Sequence, residues 1–179
     1  MDFWGDEPEG VRREAEEVLS RWAATIPRAP DQADRSSKIQ ERLFHTLRGP
    51  ERFRPFFERL QAIVDLNLPA LREVLGRIDA EEGWVAAPFP SVRYLNFTPG
   101  PRANAQEGGL VRLAKGAAFP RHHHHGHETA CVLEGVLHLG DGRYPPGSIL
   151  ESTAGSTHEF SAGPMRDLVF IVAHNGVEF

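Results

Sequence analysis

The segment GAAFPRHHHHGHETACVLEG, residues 116–135, holds five of the chain's nine histidines and two glutamates in one short stretch. His122 to His125 run consecutively inside the chain, between Phe119-Pro120-Arg121 and Gly126-His127-Glu128, a position no purification tag occupies. Successive side chains of a strand point to opposite faces, so His122 and His124 project to one side and His123 and His125 to the other. Only one pair can share an ion inside a barrel. Glu128 has the parity of His122 and His124, and Gly126 permits the bend that returns its carboxylate toward those two imidazoles. A fourth ligand is expected on a strand running beside the first. His158, in Gly155-Ser156-Thr157-His158 after the turn and strand Pro146 to Glu151, fits that place. His122, His124, Glu128 and His158 are therefore the expected ligands of one divalent transition metal ion. Neutral imidazoles with one carboxylate suit Zn, Mn, Fe, Ni or Co, and without a thiolate softness does not choose among them. His123, His125 and His127 are expected to be solvated.

Around this segment the texture is β, in short runs rich in β-formers separated by turn residues. Val92 to Phe97, Leu110 to Ala114, Thr129 to Leu139, Ser148 to Ser152 and Leu168 to Ala173 are expected strands, with Asp141-Gly142 and Pro145-Pro146-Gly147 as turns. Many short strands at even spacing indicate a sandwich or barrel. Upstream the composition changes near Gly83: residues 1–82 hold 30 of the 45 Asp, Glu, Lys and Arg residues, but few of the glycines. That half reads as about four short helices by periodicity. Val11, Ala15, Val18, Leu19 and Trp22 form one stripe, closed by Pro27 and Pro30. Ser37 and Gln40 match a capping box ahead of Leu43, Phe44 and Leu47, with Gly49-Pro50 at the end. A third helix is expected around Pro55, carrying Phe56, Phe57, Leu60, Ile63 and Val64, and a fourth from Pro69, carrying Leu71, Val74, Leu75 and Ile78. These apolar stripes suit packing on one another, on the barrel or on a protein partner. The expected organisation is α+β: a helical region at 1–82 and a β-barrel at 83–179.

Composition narrows the function classes. A net charge of -5 and a pI near 6.0 argue against a phosphate-binding surface, so no direct nucleic-acid partner is expected. The single cysteine, Cys131, permits no intramolecular disulfide and no multi-cysteine zinc knuckle, in keeping with a reducing compartment. Its parity turns it away from the metal, as a buried structural thiol. Acidic residues stand where a signal peptide needs basic ones, and no run approaches the roughly 20 apolar residues of a membrane span. A cytoplasmic protein without membrane contact is expected.

From Gly116 the segment matches the first cupin motif, G-x5-H-x-H-x3-E-x6-G, at every specified position through Gly135. Gly147, Gly155 and His158 match the second motif, with Thr153 and Ala162 where proline and asparagine are usual. With Val132-Leu133-Glu134-Gly135, Gly142-Arg143-Tyr144 and Pro146-Gly147 around it, the site resembles the cupin of the ChrR-type anti-sigma factors. The resemblance implies a metal-binding cupin fold. It also implies a helical domain that wraps a sigma factor and withholds it from RNA polymerase, and a homodimer through strand edges. One departure stands out: that helical domain generally holds zinc through His-x3-Cys-x2-Cys, whereas residues 1–82 contain His45 and no cysteine. Sigma-factor binding through 1–82 would then rest on apolar packing. A small-molecule cupin metalloenzyme, a dioxygenase or isomerase, is the alternative, and a module with a structural metal a third. For catalysis Glu134 and Glu151 are the candidate bases. His138 and His174 are candidates to orient a ligand from behind.

Overall fold

The computed structural model describes residues 49–179, which belong to one compact unit; the helices expected over Val11 to Trp22 and Ser37 to Leu47 lie outside the described residues. A 3₁₀ turn over Pro50–Phe56 leads into α1, Phe57–Val64, which ends where Asp65 turns left-handed at φ 50°. In α2, Leu68–Gly76, the Asn67 side chain accepts from the Ala70 amide at 3.0 Å, and Pro69 occupies the first turn, where its missing N–H costs nothing. A second 3₁₀ turn, Arg77–Asp79, follows. The third expected helix therefore opens as a 3₁₀ turn at Pro50, five residues before Pro55.

Eleven strands follow among the described residues: β1 Val85–Ala86, β2 Val92–Phe97, β3 Glu107–Leu113, β4 Ala118–His124, β5 Glu128–Glu134, β6 Leu137–Leu139, β7 Gly142–Tyr144, β8 Ile149–Ser152, β9 Thr157–Ala162, β10 Leu168–His174 and β11 Val177–Glu178. They pair antiparallel into two sheets, ordered β1-β2-β3-β10-β5-β8 and β11-β4-β9-β6-β7. The expected run from Thr129 to Leu139 is two strands in different sheets. Gly135 breaks it: its φ is 74°, and a Cβ there would lie 2.4 Å from the Asp167 carbonyl oxygen, so only glycine makes this turn.

The first sheet is apolar on both faces. Toward the second sheet it presents Ala130, Val132, Leu113, Phe170 and Val172, which form the barrel interior with Leu137, Ala162 and Phe160. On the other face Leu95, Leu110, Cys131, Leu133, Val169 and Ile171 share one hydrophobic cluster with Phe53, Phe57, Leu60, Val64, Leu71, Leu75 and Ile78. The described helices thus cover the sheet's outer face. This is why Leu168 to Ala173 reads as an unbroken apolar run: a strand covered on both faces loses the alternation of a half-exposed one. Polar straps fasten the helices down. Arg52 donates to Glu134 at 2.9 Å and to Asp79 at 2.7 Å, and the Arg112 guanidinium lies 4.6 Å from the Trp84 ring and donates to the Ile78 carbonyl.

Cys131 faces these helices and is fully buried, and burial pushes its thiol up to about 11. The attacking species is the thiolate, so alkylation at pH 8 is expected to run at least roughly 100-fold slower in the native protein than in denaturant. Mass-spectrometric timing of iodoacetamide uptake checks this; equal rates in both would place the thiol at the surface.

Candidate metal centre

β4 and β9 lie side by side in the second sheet, and their register sets His122 directly opposite His158. His124 follows on the same face of β4. Its backbone is pinned on both sides, the amide donating to the Ser156 carbonyl at 3.0 Å and the carbonyl accepting from the Gly155 amide at 2.8 Å. The three rings are mutually close, with centroids 4.5 to 4.8 Å apart, and one nitrogen from each lies within 4.8 Å of the others. His124 is fully buried, His122 is 4% exposed, and His158 is half-buried. Glu128 opens β5 in the opposite sheet and brings Oε2 to 3.6 Å from Nδ1 of His124. Behind the bend between β4 and β5, Gly126 has a reason beyond flexibility: a Cβ there would sit 2.4 Å from that of Asn175.

Hydrogen bonding and burial set the state of these rings. Nδ1 of His122 lies 2.9 Å from the Pro120 carbonyl, which can only accept, so the proton sits on Nδ1 and the Nε2 lone pair is free. Both ring nitrogens of His124 are buried without a hydrogen-bond partner, the Glu128 carboxylate at 3.6 Å being too far for one. Leaving such groups unmet costs about 1–3 kcal/mol each, so an ion bound here relieves a penalty the fold otherwise carries. Burial lowers the imidazoles of His122 and His158 below their ordinary range. It takes His124 down to about 4, with the imidazoles of His122, His158 and His174 adding to the effect. The rings are therefore neutral at physiological pH, the state in which imidazole donates to a metal. Burial also raises the Glu128 carboxyl to about 7, and a neighbouring cation reverses that shift. Three lone-pair donors and a carboxylate short of countercharge fit a divalent ion.

Beside the triad is a cavity of about 70 Å³, walled by Phe119, Phe160, Phe170, Val172 and Val177, with His122, Glu128 and His174 as its polar members. Residues 79–178 match the family described as the ChrR cupin-like domain, more than half of the chain. The chain belongs to this family. No curated protein matches it. Similar solved structures include a protein of unknown function with a cupin-like fold from Ralstonia eutropha, 19% identical with a TM-score of 0.42, over 48% of this chain and 56% of that one. A second is an RmlC-like cupin protein from the same organism, 22% identical with a TM-score of 0.46, over 52% and 64%. A third is the anti-sigma ChrR of Rhodobacter sphaeroides in complex with SigE, 23% identical with a TM-score of 0.47, over 65% and 55%. The chain spans from about half to two-thirds of the length of these proteins. The likeness is one of fold.

In this ChrR-type cupin the other candidates separate cleanly. His123, His125 and His127 lie off the triad: His123 meets Thr157 Oγ1 at 3.2 Å on the outer face, and His125 and His127 are exposed. Glu134 and Glu151 are not at the centre. Glu134 is tied to Arg52 on the helix-covered side, and Glu151 is exposed on β8, opposite outward-facing Thr129. His138 lines a separate depression with Arg143 and Met165. His174 does reach the site, paired with Glu128 across β10 and β5 and lining the same cavity. It shares the parity of Phe170 and Val172, which line that cavity too. Among the described residues no helix is long and apolar enough to cross a membrane.

Proposed function

We propose that the chain is a metal-binding regulator of the ChrR type. His122, His124, Glu128 and His158 hold one divalent transition metal ion, and residues 1–82 bind a sigma factor or another protein. The observation that carries the metal assignment is His124, whose two nitrogens are buried without hydrogen-bond partners in a cluster that burial keeps neutral. A bound divalent ion supplies Lewis acidity and exchangeable coordination positions beside the cavity. Family membership supports the regulatory role, and cavity size favours it over catalysis on an organic substrate. Small-molecule sites run to roughly 300–1,000 Å³, whereas about 70 Å³ holds roughly two waters, or a ligand of a few atoms. Glu134 and Glu151, the bases the sequence offers to a dioxygenase or isomerase, also lie away from the centre. A signal reaching the ion is then a small molecule or oxidant, and the regulator acts in the cytoplasm, where RNA polymerase is.

The apolar stripes of α1 and α2 are taken up by the barrel, so protein binding within 1–82 falls to residues before Gly49 or to the polar outer faces of these helices. Affinity capture from native extract, with the full chain and residues 49–179 as paired baits, tests this. The full chain is expected to retain a sigma factor and the shorter bait to lose it. Absence of any specifically retained protein from both contradicts the regulatory role.

A further inference from the structure

We propose that the outward half of the histidine run is a second metal site, formed by His123 of β4 and His125 in the bend just after it, with Glu178 of β11. β4 pairs with β11 in a register that sets Glu178 opposite His123. The His123 and His125 rings stand 5.6 Å apart at 81°, and Nε2 of His125 lies 3.5 Å from Oε2 of Glu178. Nδ1 of His123 is engaged with Thr157, which turns Nε2 of that ring outward as the available donor. Two imidazoles two residues apart at the end of β4, with a carboxylate beside them, repeat on the outer face the donor types that His122, His124 and Glu128 provide on the inner one.

The two sites differ in burial, and from that their behaviour follows. The outer side chains are exposed, His125 to 54% and Glu178 to 70%, so they close on an ion by rotamer changes and exchange it freely. Two nitrogens and an oxygen suit Zn(II), Ni(II) or Cu(II), in the ordinary order of affinity for imidazole-rich sites. The outer site also acts on the inner one through β11. This edge strand has only two residues. Val177 walls the cavity beside the triad, Glu178 is the outer carboxylate, and the His125 amide donates to the Gly176 carbonyl at 3.1 Å. An ion joining Glu178 to His123 and His125 fastens β11 to β4 and steadies that cavity wall.

The test uses the full chain, dialysed so that only tightly held metal stays, then titrated with zinc while hydrogen exchange is followed over residues 176–178. One further zinc per chain is expected, with exchange over that segment slowed severalfold. His125→Ala and Glu178→Ala are expected to weaken the added zinc at least tenfold without changing the tight metal content. A His122→Ala/His158→Ala double variant is expected to keep the outer site, which separates failure here from failure of the inner centre. The proposal is overturned if the wild-type chain takes no further zinc, if both outer variants bind it undiminished, or if His125→Ala loses the tightly held metal.

Discussion

Replacing His158 with alanine is expected to strip the tightly held metal from the protein and lower its melting temperature by about 10 °C. His158 stands opposite His122 across β4 and β9, and the site converges only in the folded chain. Binding free energy here is therefore folding free energy. If loss of one ligand weakens binding about 100-fold, stability at fixed metal falls by about 2.7 kcal/mol, which for a unit of this size is a shift of about 10 °C. His122→Ala is expected to behave alike, and His123→Ala to leave the metal in place. A sharper signature comes from His124→Leu. With metal supplied, that variant is expected to be much less stable than the wild type. With metal chelated it is expected to be as stable or more so, because leucine fills the space without two unmet buried nitrogens. Calorimetric scans with and without chelator check the change of sign; destabilisation of equal size in both would make His124 an ordinary core residue.

Cutting the chain at residue 83 is expected to destroy the fold, whereas cutting it at residue 49 is not. Residues 50–78 bury Phe53, Leu60, Leu71 and Leu75 against Leu95, Leu110, Cys131, Leu133 and Ile171 of the first sheet. Removing them bares a contiguous apolar sheet face, the kind of surface that drives association. Residues 83–179 alone are expected to aggregate, and residues 49–179 to give a cooperative melt. The same contact predicts that Leu60→Ala or Leu75→Ala, at positions with no exposure, costs about 2–5 kcal/mol. Size exclusion with circular dichroism decides between the two fragments. A monomeric, cooperatively melting 83–179 fragment would show that the helices are dispensable to the barrel.

These two expectations also mark what could be read from the residues alone. The strand period of two separates His122, His124 and Glu128 from their odd-numbered neighbours, and the structure keeps that separation, with Cys131 on the helix side and Val132 inside. The fold class and the runs at β2 and β10 were equally readable, since apolar patterning and turn glycines report them directly. The three-residue β7, Gly142–Tyr144, has no such pattern, and β9 was readable only as the strand His158 needed beside the first. The covering of the first sheet by α1 and α2 was not readable, because an amphipathic stripe is the same whether it faces a helix, a sheet or a partner. Glu134 and Glu151 looked available for catalysis because a sequence does not show that Arg52 holds one and that the other faces outward. His174 was a bare candidate whose parity with Phe170 and Val172 becomes meaningful once β10 is known to line the cavity beside β5. Gly126 signals a bend in the sequence, but the approach of Asn175 from the β10–β11 turn also requires it, and that is a tertiary fact.

Metal-edge X-ray absorption on the purified full chain, at one bound ion per chain, tests the centre most directly. Three imidazoles and at least one oxygen are expected around the ion, with no sulfur, and the imidazole signature is expected to vanish in the His122→Ala/His158→Ala double variant and persist in His123→Ala. Absence of bound metal, or an imidazole count that His123→Ala lowers and the double variant does not, would contradict a centre built from His122, His124, Glu128 and His158.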